Sequence, residues 1–122
     1  CCFMKKFLKS VRSAFKGILV ALKEERNMKI HACFVILVSL AGLLLKISLV
    51  EWLWCLFCFA LVISMELMNT AVENFVDFVE PKYNEKVGKV KDIAAGAVLI
   101  NALFSIIIGL IIFLPKIIHL FF

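Results

Sequence analysis

From Ile93 to Leu114 the chain carries no charged side chain, and Pro115 follows directly. A bilayer's hydrocarbon core, about 30 Å thick, is crossed by about 20 helical residues. This stretch therefore reads as a membrane-spanning helix closed by its proline. Two more apolar runs precede it, Ile30–Leu45, ending at Lys46, and Trp52–Met68. Both are slightly short and must borrow flanking residues to cross. The Lys46–Glu51 link between them is so brief that the two helices must form a tight antiparallel hairpin. Trp52 and Trp54 stand where an interfacial aromatic belt belongs. The rest of the composition agrees: 64% of the 122 residues are hydrophobic, well above the share in a soluble domain. The expected fold is an all-α integral membrane protein of one domain (1–122). Its parts are a surface helix over 4–28 and three transmembrane helices over 30–48, 52–77 and 93–114.

The surface helix follows from spacing. Phe7, Leu8, Val11, Phe15, Ile18, Leu19 and Leu22 recur at helical intervals, with Lys5, Lys6, Lys9, Arg12, Ser13, Lys16 and Lys23 between them. A bulky apolar face opposite a basic one suits a helix lying in the membrane interface. Residues 1–29 hold eight of the fourteen Lys and Arg, which fits an anionic membrane surface better than nucleic acid. The loop before the third span adds Lys82, Lys86, Lys89 and Lys91, whereas the first hairpin has only Lys46. The positive-inside rule then puts the N-terminus and this loop in the cytoplasm and the C-terminus outside. The cysteines Cys55 and Cys58 have the spacing of a metal or redox pair. With no second pair and no nearby His, they read as small hydrophobes within a span.

The second span runs without Pro or Gly into Ser64-Met-Glu66-Leu-Met-Asn69-Thr-Ala-Val-Glu73-Asn-Phe-Val-Asp77. At about 100° per residue, Glu66, Asn69, Glu73 and Asp77 fall at roughly 0°, −60°, −20° and +20°, on one narrow stripe. A carboxylate near the hydrocarbon edge costs at least about 2.5–3.5 kcal/mol unless it is paired, protonated or bound to a cation. Such a stripe is a functional site by default; the plain alternative is a helix end that has reached water. Three helices can hide little polar surface, so the stripe also argues for an oligomer.

On the cytoplasmic side three groups can converge: Glu25, the acidic stripe, and Lys89-Val-Lys91-Asp92. Carboxylates without paired Cys are hard ligands suited to Mg2+, and lysines beside them suit a polyphosphate. Glu66, the deepest, could take a proton from a hydroxyl at the membrane surface. These parts describe phosphoryl transfer from a nucleotide to a lipid alcohol. No nucleotide-binding motif such as GxxxxGK[ST] supports it. A small proton- or cation-coupled transporter, or a structural membrane protein, stays open on these grounds.

The segment Glu66-Leu-Met-Asn69-Thr70-Ala71-Val-Glu73-x-x-Val-Asp77 resembles the signature of the prokaryotic diacylglycerol kinase family. Lys91-Asp92 at the start of the third span, and Lys16-Gly17 followed by Glu25, fit at the family's spacing, so the resemblance covers nearly the whole chain. It implies a homotrimer in the cell membrane, with active sites shared between subunits on the cytoplasmic face, using Mg2+ and ATP. By that resemblance, Glu66 is the catalytic base and Asn69 supports it. Glu25 and Glu73 hold Mg2+ with the nucleotide. Asp77, Lys91 and Asp92 match nucleotide contacts, as do Lys82, Tyr83 and Asn84 by position. Ser13 stands where Gram-negative members carry a Tyr near the nucleotide.

Glu25-Arg26-Asn27-Met28-Lys-Ile-His31 and Gly109-Leu-Ile-Ile-Phe-Leu-Pro115-Lys116 are similar to the Gram-positive branch, and Ala95 replaces a Gram-negative Ser. That branch implies an undecaprenol kinase; diacylglycerol is the alternative acceptor. His31 is expected to snorkel at the interface.

Overall fold

One residue separates the surface segment from the first crossing. Glu25 adopts an extended conformation (φ −102°, ψ 121°) while its N–H still bonds to the Ala21 carbonyl. In the computed structural model, which describes residues 1–122, this break divides α1 (Cys2–Glu24) from α2 (Arg26–Leu45). The surface helix, expected to reach residue 28, therefore stops earlier. Met28 lies instead in the first turns of α2, where it is 1% exposed.

α2 is about 30 Å long at about 1.5 Å per residue and ends at Lys46, which takes the left-handed conformation (φ 53°). Ser48 then starts α3 (Leu49–Val79) with a capping box. The Ser48 hydroxyl accepts from the Glu51 N–H, and the Glu51 carboxylate accepts from the Ser48 N–H. The link between α2 and α3 is thus only residues 46–48, the tight hairpin that the apolar runs require.

α3 is continuous for 31 residues. The apolar run and the acidic stripe form one rod because no Pro or Gly interrupts them until Pro81 ends the helix signal. Asn84 caps α4 (Glu85–Phe121) by accepting from the Val87 N–H at 2.9 Å. α4 does not stop at Pro115 but runs through it. Proline removes one backbone bond, and membrane helices tolerate that loss where neighbouring groups compensate. Beyond the proline, Lys116 pairs with Glu51 at 3.1 Å and ties the far end of α4 to the start of α3.

α3 packs against all three other helices. Near the hairpin the core gathers Ile47, Cys55 and Ile112, with Trp52 and Phe113 against them. Gly42 lets α2 approach α3 closely: a Cβ there would lie 2.8 Å from the Trp52 ring. Only 12 of 122 residues are buried, so most of the apolar surface of one chain faces lipid or another protein surface. α2, α3 and α4 are each long and apolar enough to cross a bilayer, and the chain is a multi-pass membrane protein.

Overpacking a tight contact costs about 1–3 kcal/mol. Gly42→Ala should therefore lower the unfolding temperature in detergent. Gly109→Ala should leave it unchanged, because a Cβ at Gly109 meets nothing within 4 Å. Equal temperatures for both variants would remove the Gly42–Trp52 contact from the causes of hairpin stability. A second expectation concerns acid. The Ser48 backbone N–H, and next Lys116, hold the Glu51 carboxyl below its ordinary value. Such a group contributes stability above its unfolded pKa and loses it as pH falls through the folded value. Protection of the amides at 48–52, taken as exchange relative to the intrinsic rate at each pH, should fall through that acid range, and Glu51→Gln should remove that fall in protection.

Candidate active site

The acidic stripe on α3 is graded in depth. Glu66 is 2% exposed and Asn69 is buried beside it, whereas Glu73 is half-buried and Asp77 exposed. The helical spacing places them in this order along one rod, with the apolar run on one side and the polar loop on the other.

Glu66 makes one polar contact. His31 Nε2, on α2, lies 3.4 Å from its Oε2. That is within ion-pair reach but longer than a well-formed N–H···O bond, about 2.7–3.2 Å. His31 therefore does not snorkel to the interface; it turns inward onto the carboxylate. The reason is the cost of a lone carboxylate in apolar surroundings, which makes a nearby imidazole a better partner than lipid. A histidine at the start of the preceding apolar run was the available signal, but only the approach of α2 to α3 makes the pair. Asn69 Oδ1 and Thr70 Oγ1 are both buried without a hydrogen-bond partner. Native structures rarely leave such atoms unpaired, so two open hydrogen-bonding positions stand next to Glu66 on the same helix. Asn69 itself makes no hydrogen bond to Glu66. Thr70 was not singled out by the sequence reading; its place beside Asn69 at the base of the stripe was the available signal.

The polar extensions of α3 and α4, beyond their apolar runs, meet at Asp77 and Lys91, whose Nζ lies 2.6 Å from the Asp77 Oδ1. That hydrogen bond raises the Lys91 ammonium above its ordinary pKa, so the group stays charged at neutral pH. At the start of α4 an open groove of about 430 Å3 is lined by Tyr83, Glu85, Gly88, Lys89, Asp92 and Ile93. The Tyr83 ring reaches this groove because Gly88 has no side chain: a Cβ there would press on the phenol. Of the expected nucleotide residues, the groove unites Tyr83 and Asp92. Asn84 is occupied as the α4 cap. Lys82 is exposed in the loop, and Ser13 stands on exposed α1 and does not line the groove.

Glu25, at the α1–α2 break, and Glu73 are both half-buried. No three His, Cys, Asp or Glu side chains of the chain gather closely enough to hold a metal ion by themselves. Two carboxylates suit a cation that brings its remaining oxygens with it, as Mg2+ does on a nucleotide.

On the membrane side of Glu66 lies an apolar cavity of about 350 Å3 between α2, α3 and α4. Its walls include Phe34, Val38, Phe59 and Ile106, with the free thiols of Cys55 and Cys58. The volume falls within the range of ligand pockets, about 300–1,000 Å3. His31 also lines this cavity. One residue thus touches both the buried carboxylate and the apolar space, an arrangement suited to an amphiphile with a polar head and a hydrocarbon tail.

The stretch that is similar to known proteins contains all of these residues. The pattern of the prokaryotic diacylglycerol kinase family matches residues 12–113. The chain is 40% identical over 113 residues to undecaprenol kinase of Bacillus subtilis, covering 93% of this chain and 92% of that one. It is 36% identical over 114 residues to a diacylglycerol kinase of Synechocystis, covering 93% of this chain and 65% of that protein. Identity to the diacylglycerol kinase of Escherichia coli is 26% over 102 residues, 84% of each chain. The match runs through the three crossings and the whole carboxylate stripe, which sets aside the transporter reading of that stripe. The chain belongs to the prokaryotic diacylglycerol kinase family, and it is a lipid kinase.

Proposed function

We propose that this enzyme transfers the γ-phosphoryl group of Mg-ATP to undecaprenol, giving undecaprenyl phosphate. The carrying observation is Glu66, 2% exposed, joined through His31 to an apolar cavity inside the helix bundle. A lipid alcohol would place the first part of its chain in the cavity, past His31, and its hydroxyl at the carboxylate, with the rest of the chain in the bilayer. The choice of undecaprenol rests on the 40% identity to the Bacillus subtilis protein.

Glu66 takes the hydroxyl proton as general base. The electron pair of the broken O–H bond forms the new bond to the γ-phosphorus, and the bond from that phosphorus to the β-phosphate oxygen breaks towards ADP. Burial keeps water, a competing acceptor, from the base. Asn69 and Thr70 offer their unpaired oxygens to the acceptor end of the site.

Glu25 and Glu73 would hold Mg2+, with the nucleotide supplying the other oxygens; the ion would neutralise phosphate charge when bound. Asp77, Lys91 and Asp92, with Lys82, Tyr83 and Asn84 in the loop, form the nucleotide side; Ser13, which does not line the groove, is assigned to it by family resemblance alone. Lys89, in the groove with Tyr83 and Asp92, adds a cation for the phosphates. The basic N-terminal helix and the basic loop orient this side to the cytoplasm, where ATP is found. A homotrimer in which neighbours complete each site would cover part of the exposed helix faces, the rest facing lipid.

Phosphate transfer in mixed micelles, with undecaprenol and diacylglycerol as parallel acceptors, tests this reading. Undecaprenol should give the higher kcat/KM; a dominant diacylglycerol signal would reassign the acceptor. Glu66→Gln should cost roughly 10²–10⁴-fold in turnover, the usual share of a general base, and keep Mg-ATP binding. Loss of that binding instead would move Glu66 to the metal. Glu25→Gln and Glu73→Gln should each raise the Mg2+ concentration for half-maximal rate, and an unchanged titration would end their ligand role. Asp77–Lys91 is a solvent-screened surface pair that contributes little to stability, so Lys91→Met should leave thermal unfolding nearly unchanged. A raised KM for ATP in that variant then reports nucleotide contact rather than lost stability.

A further inference from the structure

The imidazole of His31 has no place in the transfer chemistry as so far described, yet it is the only polar partner of the buried base. We infer that His31 is a positioning residue: from Nε2, 3.4 Å from Glu66 Oε2, it holds that carboxylate in place in apolar surroundings and aims its free oxygen at the acceptor hydroxyl. The inference rests on Glu66 acting as the base.

Three observations support it. Glu66 has no other ion pair and accepts no hydrogen bond from Asn69 or Thr70. Its burial removes water as an alternative donor. His31, in turn, stands in the wall of the apolar cavity, so the acceptor's approach passes the same ring that orients the base.

The other groups around the ring leave this role to His31. On α3 the remaining titratable neighbours are the thiols of Cys55 and Cys58, which line the cavity with it. α4 presents Ala102, Ser105, Ile106, Ile108 and Gly109 there, none of them titratable. α1 meets α2 near its last turn, where Lys23 and Glu24 are exposed and pair with neither His31 nor Glu66. Nε2 carries a proton in the imidazolium and in one neutral tautomer, so both states can donate.

A hydrogen bond to the charged form of a carboxylate favours that form, and its loss favours the protonated one. His31→Leu should therefore move the acid limb of the pH–kcat profile to higher pH. At neutral pH kcat should fall roughly 10–100-fold, the effect of one charge-assisted hydrogen bond. KM for Mg-ATP should stay the same. His31→Gln, which restores an N–H donor at similar reach, should recover most of kcat and return the limb towards its original position. The assay uses the full-length protein in mixed micelles with Mg-ATP, with undecaprenol in one arm and diacylglycerol in the other, so the outcome does not depend on the acceptor. Glu66→Gln is measured in parallel. If Glu66→Gln keeps turnover, the base reading fails and the role of His31 fails with it. If Glu66→Gln is inactive but His31→Leu only raises the lipid KM with an unmoved limb, His31 merely lines the cavity and the inference is overturned. Should His31→Leu not fold, His31→Asn replaces it: this shorter amide should shift the limb while His31→Gln does not. An unmoved limb in both would overturn the inference equally.

Discussion

A carboxylate that is almost fully buried inside a membrane protein has to be answered by something. Glu66 is answered by His31, across the gap between α3 and α2. The approach of the two helices, the inward turn of the imidazole and the position of the cavity all meet at this pair. Water and lipid headgroups would solvate the carboxylate better, but burial excludes both.

The pair can exist only because α3 is long and uninterrupted. At about 1.5 Å per residue, α3 is about 46 Å long, more than the hydrocarbon core needs. The excess carries the stripe from the apolar interior to the polar surface. Glu66 therefore works at one depth while Asp77, three turns on, reaches Lys91 in the polar zone. A single rod holds the buried carboxylate and the exposed end of the stripe in one register, with no loop between them. The capping box at Ser48 and the Glu51–Lys116 pair hold the opposite end, so the rod's position along its axis is anchored at both ends.

One chain encloses little. Leu44, Phe34 and Phe104 are among many large apolar residues left open. In lipid this carries no hydrophobic penalty, because acyl chains are as apolar as leucine. The buried positions instead gather where polar groups or small residues demand close contact: Gly42 under Trp52, and Glu66 with Asn69 and Thr70.

Much was legible in the chain itself. Apolar run lengths gave three crossings, and the absence of Pro and Gly between Trp52 and Val79 made the stripe a continuation of a helix. Helical periodicity put Glu66, Asn69, Glu73 and Asp77 on one side, because periodicity is local. Three features were decided only in three dimensions. The break at Glu25 carries no Gly or Pro to announce it; the turn from surface helix to crossing is imposed by packing around Met28. Pro115 reads as a stop, yet α4 passes through it, since a membrane helix can lose one backbone bond and the Lys116–Glu51 pair engages the turn beyond. His31 looked like an interfacial residue, and only the approach of α2 to α3 made it the partner of Glu66. Sequence determines what each segment can be, through length, spacing and composition. Which side chains meet depends on contacts between residues far apart in the chain, and the demand of a buried charge for a partner has no local signature.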